Sequence, residues 1–300
     1  PPRSTLFPYT TLFRSILNTN QRAAGSHSDQ IHFRKLLNRL RNGQSTTNDW
    51  TLLLKRQPTS VNDISKFSNA TRLYYSNEDV AKYNYQHLLQ LQQPIAEIEA
   101  KHSSSQASKI SPQEMFGLQP KLFLAKNARV VLTMNLWPSV GLCNGATGTV
   151  LDIIYETAHQ PPLLPIAVVV QFDKYSGPSV TTTPCCVPIA PVTATSYQGN
   201  AVHERTQLPL TLAWSMTIHK SQGTTLEKVW LDIGKRESTL GVTYVAISRV
   251  RNLDSLVIEP ITFDRLKCIK DSSALQYRID EEQRLRQLSD KSMKCCSSNL

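Results

Sequence analysis

The sequence predicts an α/β fold in which a parallel β-sheet is interrupted by a small β-barrel insertion. Helical and strand patterns alternate between residues 16 and 125. The next stretch, residues 126–207, contains β-branched runs and most of the nine prolines that lie between Pro138 and Pro209. That composition suits short barrel strands better than helices. From residue 208 the strand and helix patterns resume, which indicates one α/β domain split by an insertion.

The first part of the chain has the pattern helix, strand, helix, loop. Apolar residues recur at i, i+3, i+4 and i+7, as an amphipathic helix requires: Phe33, Leu36, Leu37 and Leu40. Asn42-Gly43 should end this helix. Residues 73–75 are typical of a strand, and Ser76 or Asn77 should cap the helix that follows. The Ser-rich residues 101–112 are predicted to form a loop.

The later elements follow from the same patterns. Strands are predicted at 129–133, 148–154, 166–172, 210–214, 229–233 and 256–258, a helical turn at 217–222 and a helix at 240–250. The tail from Ser273 is a charged helix, in which Asp280/Arg284 and Glu282/Arg286 have the i, i+4 spacing of ion pairs.

The composition excludes several classes of protein. The 33 Lys and Arg against 23 Asp and Glu give a net charge of +10, which favours an acidic partner such as nucleic acid. The longest apolar run, residues 163–170, contains Pro165 and is too short to span a bilayer, so we expect no membrane association. None of the six cysteines forms a C-x-x-C pair, so a zinc ribbon is not predicted and a reducing compartment is favoured.

The first 15 residues, PPRSTLFPYTTLFRS, have no helical or strand periodicity. Residues 5–15 match the translation of a common sequencing adapter, so we interpret 1–15 as an artefact rather than an ordinary disordered N-terminus. Without Arg3 and Arg14 the charge is 31 − 23 = +8, which is still basic. The natural polypeptide is then expected to begin upstream, and this chain to be its C-terminal piece.

The sequence contains no phosphate-binding glycine loop of its own. None of the 11 glycines heads a G-x-x-x-x-G-K-[ST] or a G-x-G-x-x-G pattern. The segment Val229–Asp232 superficially resembles the acidic Mg²⁺-binding strand of P-loop enzymes. Because no P-loop precedes it, we interpret it as a structural strand.

Residues 208–226, LPLTLAWSMTIHKSQGTTL, place many polar groups just after a predicted strand: Thr217, His219, Lys220, Ser221, Gln222 and Gly223. The carboxyl end of a parallel strand is where α/β folds bind ligands. Hydroxyl, amide and glycine groups suit contact with phosphate or sugar. The alternative is the solvated start of a helix.

Residues 240–250, LGVTYVAISRV, place an arginine where a core residue is expected. Val242, Val245 and Ala246 mark the core face of the predicted helix, and Arg249 is the i+7 position of that face. A buried guanidinium needs a partner. The alternative is an arginine that extends to solvent at a helix end.

Together these segments resemble the PIF-type (petite integration frequency) helicases of superfamily 1. HKSQGTTL is similar to motif V of that family, and TYVAISRVRNLDSL to motif VI. Residues 128–150 resemble the segment that leads into the family's small inserted barrel, and LNTNQR, residues 17–22, resembles motif IV. The resemblance implies a RecA-like parallel sheet with helices on both faces. The same resemblance divides the chain into segments. The second RecA-like domain comprises residues 16–125 and 208–270, the barrel comprises residues 126–207, and the charged tail comprises residues 271–300.

The resemblance also implies roles for individual residues. Arg249 and Arg22 match arginines that act on the γ-phosphate of ATP, so both are expected to be catalytic. The other matched positions are Gln222 and Gly223 near the nucleotide, and Thr217, His219 and Lys220 at single-stranded DNA. ATP and Mg²⁺ would be bound mainly by a P-loop domain in cis that has no counterpart here.

The resemblance therefore predicts part of an ATP-dependent DNA helicase that unwinds 5′ to 3′, in the nucleus or the mitochondrion. Two alternatives stay open. The chain could be a non-catalytic nucleic-acid-binding relic of a mobile-element helicase, or its barrel could be a protein-interaction module. Because it has no P-loop, the chain alone is expected not to hydrolyse ATP.

Overall fold

The computed structural model describes residues 22–179, 182–199, 201–234, 240–270 and 272–297. The predicted artefact 1–15, and all of the 17–22 segment except Arg22, lie outside the described residues. The helices are α1 Ser28–Arg41, α2 Thr47–Leu54, α3 Asn77–Gln90, α4 Ser105–Lys109, α5 Val242–Ile247, α6 Phe263–Lys267 and α7 Ser273–Ser297. The strands are β1 Thr71–Tyr74, β2 Ala96–Glu99, β3 Lys101–His102, β4 Lys121–Leu124, β5 Arg129–Leu132, β6 Thr147–Ile154, β7 Ala167–Phe172, β8 Cys186–Ile189, β9 Val192–Gln198, β10 Ala201–Gln207, β11 Leu210–Leu212, β12 Ser215–Thr217, β13 Val229–Asp232 and β14 Leu256–Ile258. Across these ranges, no helix has both the length and the apolar character needed to traverse a bilayer.

The described chain forms two compact units. The first unit comprises the residues up to Ala70 and those from Ile218 onward, and the second runs from Thr71 to Thr217. The divisions predicted after residues 125 and 207 both fall inside the second unit and stay predictions.

In the first unit, helix α1 has the buried face that its sequence predicted. Its four periodic apolar residues, Phe33, Leu36, Leu37 and Leu40, are all buried. The helix ends at Asn42-Gly43, where Gly43 has φ of +67° and a Cβ would lie 2.8 Å from the Cα of Lys270. Only glycine fits that turn without strain.

The parallel strands predicted for the first unit are present. β13 pairs in parallel with β14, with Trp230 opposite Val257, and the two strands are largely buried. The α/β class is therefore confirmed. Helix α5, Val242–Ile247, is shorter than the helix predicted over residues 240–250.

The tail helix α7 forms, but the ion pairs predicted along it are wrong. Arg284 pairs with Glu281, three residues earlier, at 2.6 Å. Glu282 pairs with Arg41 of α1 at 2.6 Å. The i, i+3 position lies on the same helix face as i, i+4, and Glu282 also pairs with Arg278, four residues earlier, at 3.5 Å.

The second unit contains a parallel strand pair covered by helix α3. β1 pairs with β12 in parallel, and the register places Tyr74 opposite Thr217. Ser76 caps α3 as predicted, accepting a 3.0 Å hydrogen bond from the amide of Asp79. Asn84 ties the helix to the sheet, since its side chain bonds both the amide and the carbonyl of Ser215.

The strand predicted at 210–214 is divided between two sheets. β11 pairs antiparallel with β5, and the amide of Ala213 still donates to the Arg129 carbonyl. One residue later, the Trp214 carbonyl accepts from the amide of Arg72 in β1. The chain changes partner between Ala213 and Trp214, so the predicted strand ends early, as β11, and the next strand, β12, begins at Ser215.

The inserted region is built of β-strands as predicted, but in the described residues it does not close into a barrel. One antiparallel sheet has the open order β11-β5-β6-β7-β8, and another the order β3-β10-β9. Pro188 lies in the edge strand β8, opposite Val169. A proline has no N–H to donate, which limits β8 to the edge of its sheet.

Residues 101–112 form β3 and α4, so the prediction of a plain loop is wrong. Ser104 caps α4 and accepts from the amide of Ala107 at 3.1 Å. The guanidinium of Arg205, which is 0% exposed, donates to the carbonyls of Ala107, Ser108 and Ile110. The Ser-rich segment is ordered because it lies around this buried arginine.

Candidate functional site

The polar segment after β12 folds as a compact turn, residues 218–226, which we call the 218–226 turn. Ile218 is buried and anchors it, and the Ser221 hydroxyl donates to the Ile218 carbonyl at 2.7 Å. The amides of Ser221 and Thr224 donate back to the carbonyls of Ile218 and Ser221. Gly223 has φ of +80°, a conformation that favours glycine.

Four of the predicted site residues lie on the exposed side of this turn: His219, Lys220, Gln222 and Gly223. The protein packed around the Lys220 ammonium lowers its pKa through desolvation, although the residue as a whole is exposed. Thr217, the fifth, is the partly buried last residue of β12 in the second unit.

Arg249 is buried, at 7% exposed, and does not extend to solvent. Its Nη1 donates to the carbonyls of Ser221 at 3.1 Å and Thr224 at 3.3 Å. Its Nε donates to the Val245 carbonyl at 2.6 Å, and its Nη2 to the Ser248 hydroxyl at 2.7 Å. The partners that the sequence pattern required are thus oxygens of the 218–226 turn and of the end of α5.

Arg22 reaches the same region from the start of the described chain. Its Nε donates to the Thr225 hydroxyl at 2.8 Å, and its Nη1 to the Ser248 carbonyl at 3.0 Å. Burial lowers the pKa of Arg249 to about 10, and the positive charge of Arg22 contributes in the same direction. Two guanidinium groups are therefore held close together at the end of α5.

An open cleft of about 690 Å³ lies beside these arginines in the first unit. Its lining consists of Arg22, Ala24, Gln30, Thr225, Arg251 and Asn252. The Gln30 amide fixes one wall by donating to the Arg251 carbonyl at 2.5 Å. The lining holds two cationic side chains and no carboxylate, which gives it the chemistry of an anion site.

The structure brings together only some of the residues predicted for a nucleotide. Arg22 lines the cleft and Arg249 lies next to it, whereas Gln222 and Gly223 are not among the lining residues. The sequence analysis did not identify three residues that line the cleft, Arg251, Gln30 and Asn252. The pattern SRVR, with Arg251 two residues after Arg249, could have indicated Arg251.

The donor set of the cleft fits a phosphoryl group but does not fit Mg²⁺. Guanidinium, amide and hydroxyl groups can donate to phosphate oxygens. Mg²⁺ prefers carboxylate oxygens, which the cleft lining lacks. Within the described residues there is also no group of three or more His, Cys, Asp or Glu side chains that could hold a metal ion.

No protein-family model matches the sequence. The chain is 34% identical to human ATP-dependent DNA helicase PIF1 over 212 residues, which is 69% of this chain and 30% of that protein. It is 30% identical to ATP-dependent DNA helicase Pif1 of Bdellovibrio bacteriovorus over 241 residues, 80% of this chain and 48% of the relative. The chain thus spans less than half of each of these curated relatives.

Solved structures agree with the sequence matches. The Pif1 helicase of Candida albicans superposes with a TM-score of 0.63 at 22% identity, over 85% of this chain and 58% of that one, and shows the shared fold. Bacteroides Pif1 bound to single-stranded DNA matches at 25% identity with a TM-score of 0.57, over 85% and 53% of the two chains. Over about 70 to 85% of its length, this chain is homologous to the Pif1-type helicases.

Proposed function

We propose that this chain is one part of an ATP-dependent DNA helicase. In this role it supplies arginines to the phosphates of ATP and contacts to single-stranded DNA, while another region of the protein supplies the P-loop. The observation that carries the proposal is the carboxylate-free cleft beside Arg22, Arg249 and Arg251, in a chain homologous to Pif1 helicases.

The electrostatics of the cleft support a phosphate ligand. Among the described residues, Arg22 and Arg249 bond only to carbonyl and hydroxyl oxygens, so their charges are not neutralised by a carboxylate. Each charge disfavours the other, and a multiply charged phosphate would relieve that repulsion. The planar fork of a guanidinium also matches the oxygens of a phosphoryl group.

Arg22 and Arg251 are the arginines best placed to reach a phosphate in the cleft, because both line it. Arg249 is not among the lining residues, and its donors bond oxygens of the protein. We therefore extend the catalytic assignment of Arg22 and Arg249 to include Arg251. Arginines that contact the transferred phosphoryl group contribute about 10³ to 10⁵ in turnover.

The DNA-contact part of the proposal concerns Thr217, His219 and Lys220. The Bacteroides relative is described in complex with single-stranded DNA. The polar groups of the 218–226 turn, in a basic chain, can form hydrogen bonds with the phosphates and sugars of single-stranded DNA. The 5′-to-3′ direction, and action in the nucleus or the mitochondrion, are proposed on the family resemblance.

Two measurements test the proposal. The purified chain should bind a fluorescent single-stranded oligonucleotide at low salt and should not hydrolyse ATP. A chimaera of the Bdellovibrio bacteriovorus relative, with its matching segment replaced by residues 22–297 of this chain, should show DNA-stimulated ATP hydrolysis.

In that chimaera, Arg22→Gln should lower turnover by about a thousandfold, whereas Lys35→Gln should not. Lys35 is the matched control, because it is an exposed cation of α1 that does not line the cleft. Equal effects of the two changes would contradict the assignment. A folded chimaera that binds DNA but never hydrolyses ATP would instead support the non-catalytic relic.

A further inference from the structure

We propose that Arg249 is the positioning residue of the 218–226 turn. Its hydrogen bonds hold the backbone that carries His219 and Lys220, and the affinity of these two residues for single-stranded DNA therefore depends on Arg249. The inference rests on the proposed function, because it takes single-stranded DNA as the ligand of the turn. It goes beyond that function by giving Arg249 a role that needs no nucleotide.

The donors of the Arg249 guanidinium reach two separate segments of the chain. Its Nη1 bridges the carbonyls of Ser221 and Thr224, at 3.1 and 3.3 Å. Its Nε and Nη2 donate to Val245 and Ser248, at the end of α5. One guanidinium thus joins the middle of the turn to the end of a helix.

The last residues of the 218–226 turn, Thr225 and Leu226, are also attached near Arg249. The amide of Leu226 donates to the Arg249 carbonyl at 3.0 Å. Arg22 bridges the Thr225 hydroxyl and the Ser248 carbonyl. The backbone from Ser221 to Leu226 is therefore attached to the end of α5 by both the side chain and the main chain of Arg249.

Loss of the Arg249 guanidinium would leave a buried backbone carbonyl without its donor. Ser221 is 0% exposed, so water cannot replace Arg249 at its carbonyl unless the turn moves. His219 and Lys220 directly precede Ser221 and depend on the same backbone. A flexible turn would have to be ordered when DNA binds, and that ordering reduces affinity.

The chain offers a matched control in Arg205. This arginine is also buried and also donates to backbone carbonyls, those of Ala107, Ile110 and Leu118 among them. It belongs to the second unit, whereas the turn belongs to the first. Arg205→Gln therefore makes a similar lesion away from the turn.

The test measures the affinity of the full chain for a fluorescein-labelled single-stranded oligo-dT, by anisotropy, without nucleotide. Arg249→Gln should weaken binding by about tenfold. Arg249→Lys should recover little of the lost affinity, because lysine lacks the forked donors of a guanidinium. The control Arg205→Gln should change the affinity less than about twofold. Thermal melting confirms that each variant is folded at the assay temperature. Unchanged affinity in a folded Arg249→Gln chain would overturn the proposal.

A double-mutant cycle separates positioning from a general loss of stability. Lys220→Ala should weaken binding in the unmodified chain and have much less effect in the Arg249→Gln chain, because the lysine is already misplaced there. Additive effects would overturn the proposal. Amide hydrogen exchange gives a readout without DNA: Thr224 and Leu226 should lose protection in Arg249→Gln and keep it in Arg205→Gln.

The two possible failures are distinguishable. If the unmodified chain binds no single-stranded DNA, the proposed function fails. If it binds and Arg249→Gln binds equally well with its turn still protected from exchange, the proposed function stands and the positioning role of Arg249 is refuted.

Discussion

Replacing Arg205 by methionine should destabilise the second unit strongly. The arginine is 0% exposed, and its guanidinium donates to the carbonyls of Leu118, Ala107, Ser108 and Ile110 at 2.7 to 3.2 Å. Among the described residues no carboxylate pairs with it; besides these backbone oxygens, the His102 ring is an acceptor, with Arg205 Nε donating to His102 Nδ1 at 3.5 Å. Methionine has a comparable length but donates to none of them.

The size of the loss follows from the acceptors left behind. The bonds to Leu118, Ala107 and Ile110 are buried, and each orphaned acceptor costs about 1 to 3 kcal/mol. Methionine offsets part of this cost, because it packs as an apolar side chain and no buried cation has to be desolvated. We therefore expect the free energy of unfolding to fall by about 3 kcal/mol.

Urea denaturation of the two chains measures this difference. The variant should also raise the pKa of His102, which burial lowers first and the charge of Arg205 lowers further. That change is measured by NMR titration of the His102 ring. A loss below about 1 kcal/mol, with residues 101–112 still protected from hydrogen exchange, would refute the view that Arg205 holds this segment.

Three further predictions concern pH and DNA. Burial and the charge of Arg72 lower the pKa of His87, so protonation of this residue favours the unfolded chain. The unmodified chain should therefore lose stability as pH falls below about 6.5, and His87→Phe should reduce that loss. Melting temperatures at pH 7.5 and 5.5 check this, and identical pH dependence in both chains would contradict it. Asp49→Asn should lower the free energy of unfolding at pH 7 by about 2 kcal/mol, with the difference shrinking below about pH 4 in urea titrations. Desolvation of Asp49 is outweighed by hydrogen bonds from Arg39 and Thr46, so its carboxyl pKa lies below the ordinary value; a constant difference down to pH 2 would exclude this cause. Lys220→Ala should weaken single-stranded DNA binding and reduce the slope of log affinity against log salt by about 0.7. The control is Lys109→Ala, which removes an exposed cation of α4 and should change neither quantity. Equal effects of the two substitutions would exclude the 218–226 turn as the contact.

Sequence reasoning succeeded where the determining interactions are local. The buried face of α1, its end at Asn42-Gly43 and the cap of α3 at Ser76 each depend on residues within a few positions of one another. Periodicity and capping groups report such interactions directly. The motif-bearing segments also led to the correct family without any structure.

The errors arose where the partner lies far along the chain. Nothing near residue 213 shows that the chain leaves β5 and joins β1 there. The order around α4 comes from Arg205, almost a hundred residues later. Sequence patterns carry no information about such distant partners.

What the sequence by itself determined is the family of the chain and the candidate site residues, including Arg22, Arg249 and the polar 218–226 turn. What only the tertiary structure decided is what each residue does with its donors. Arg249 divides its donors between the 218–226 turn and the end of α5, and Arg251 lines the cleft with Arg22. The physical reason is that a guanidinium bonds whichever acceptors the folded chain brings within about 3 Å of it, and two acceptors of Arg249, the Ser221 and Thr224 carbonyls, lie more than twenty residues away along the chain.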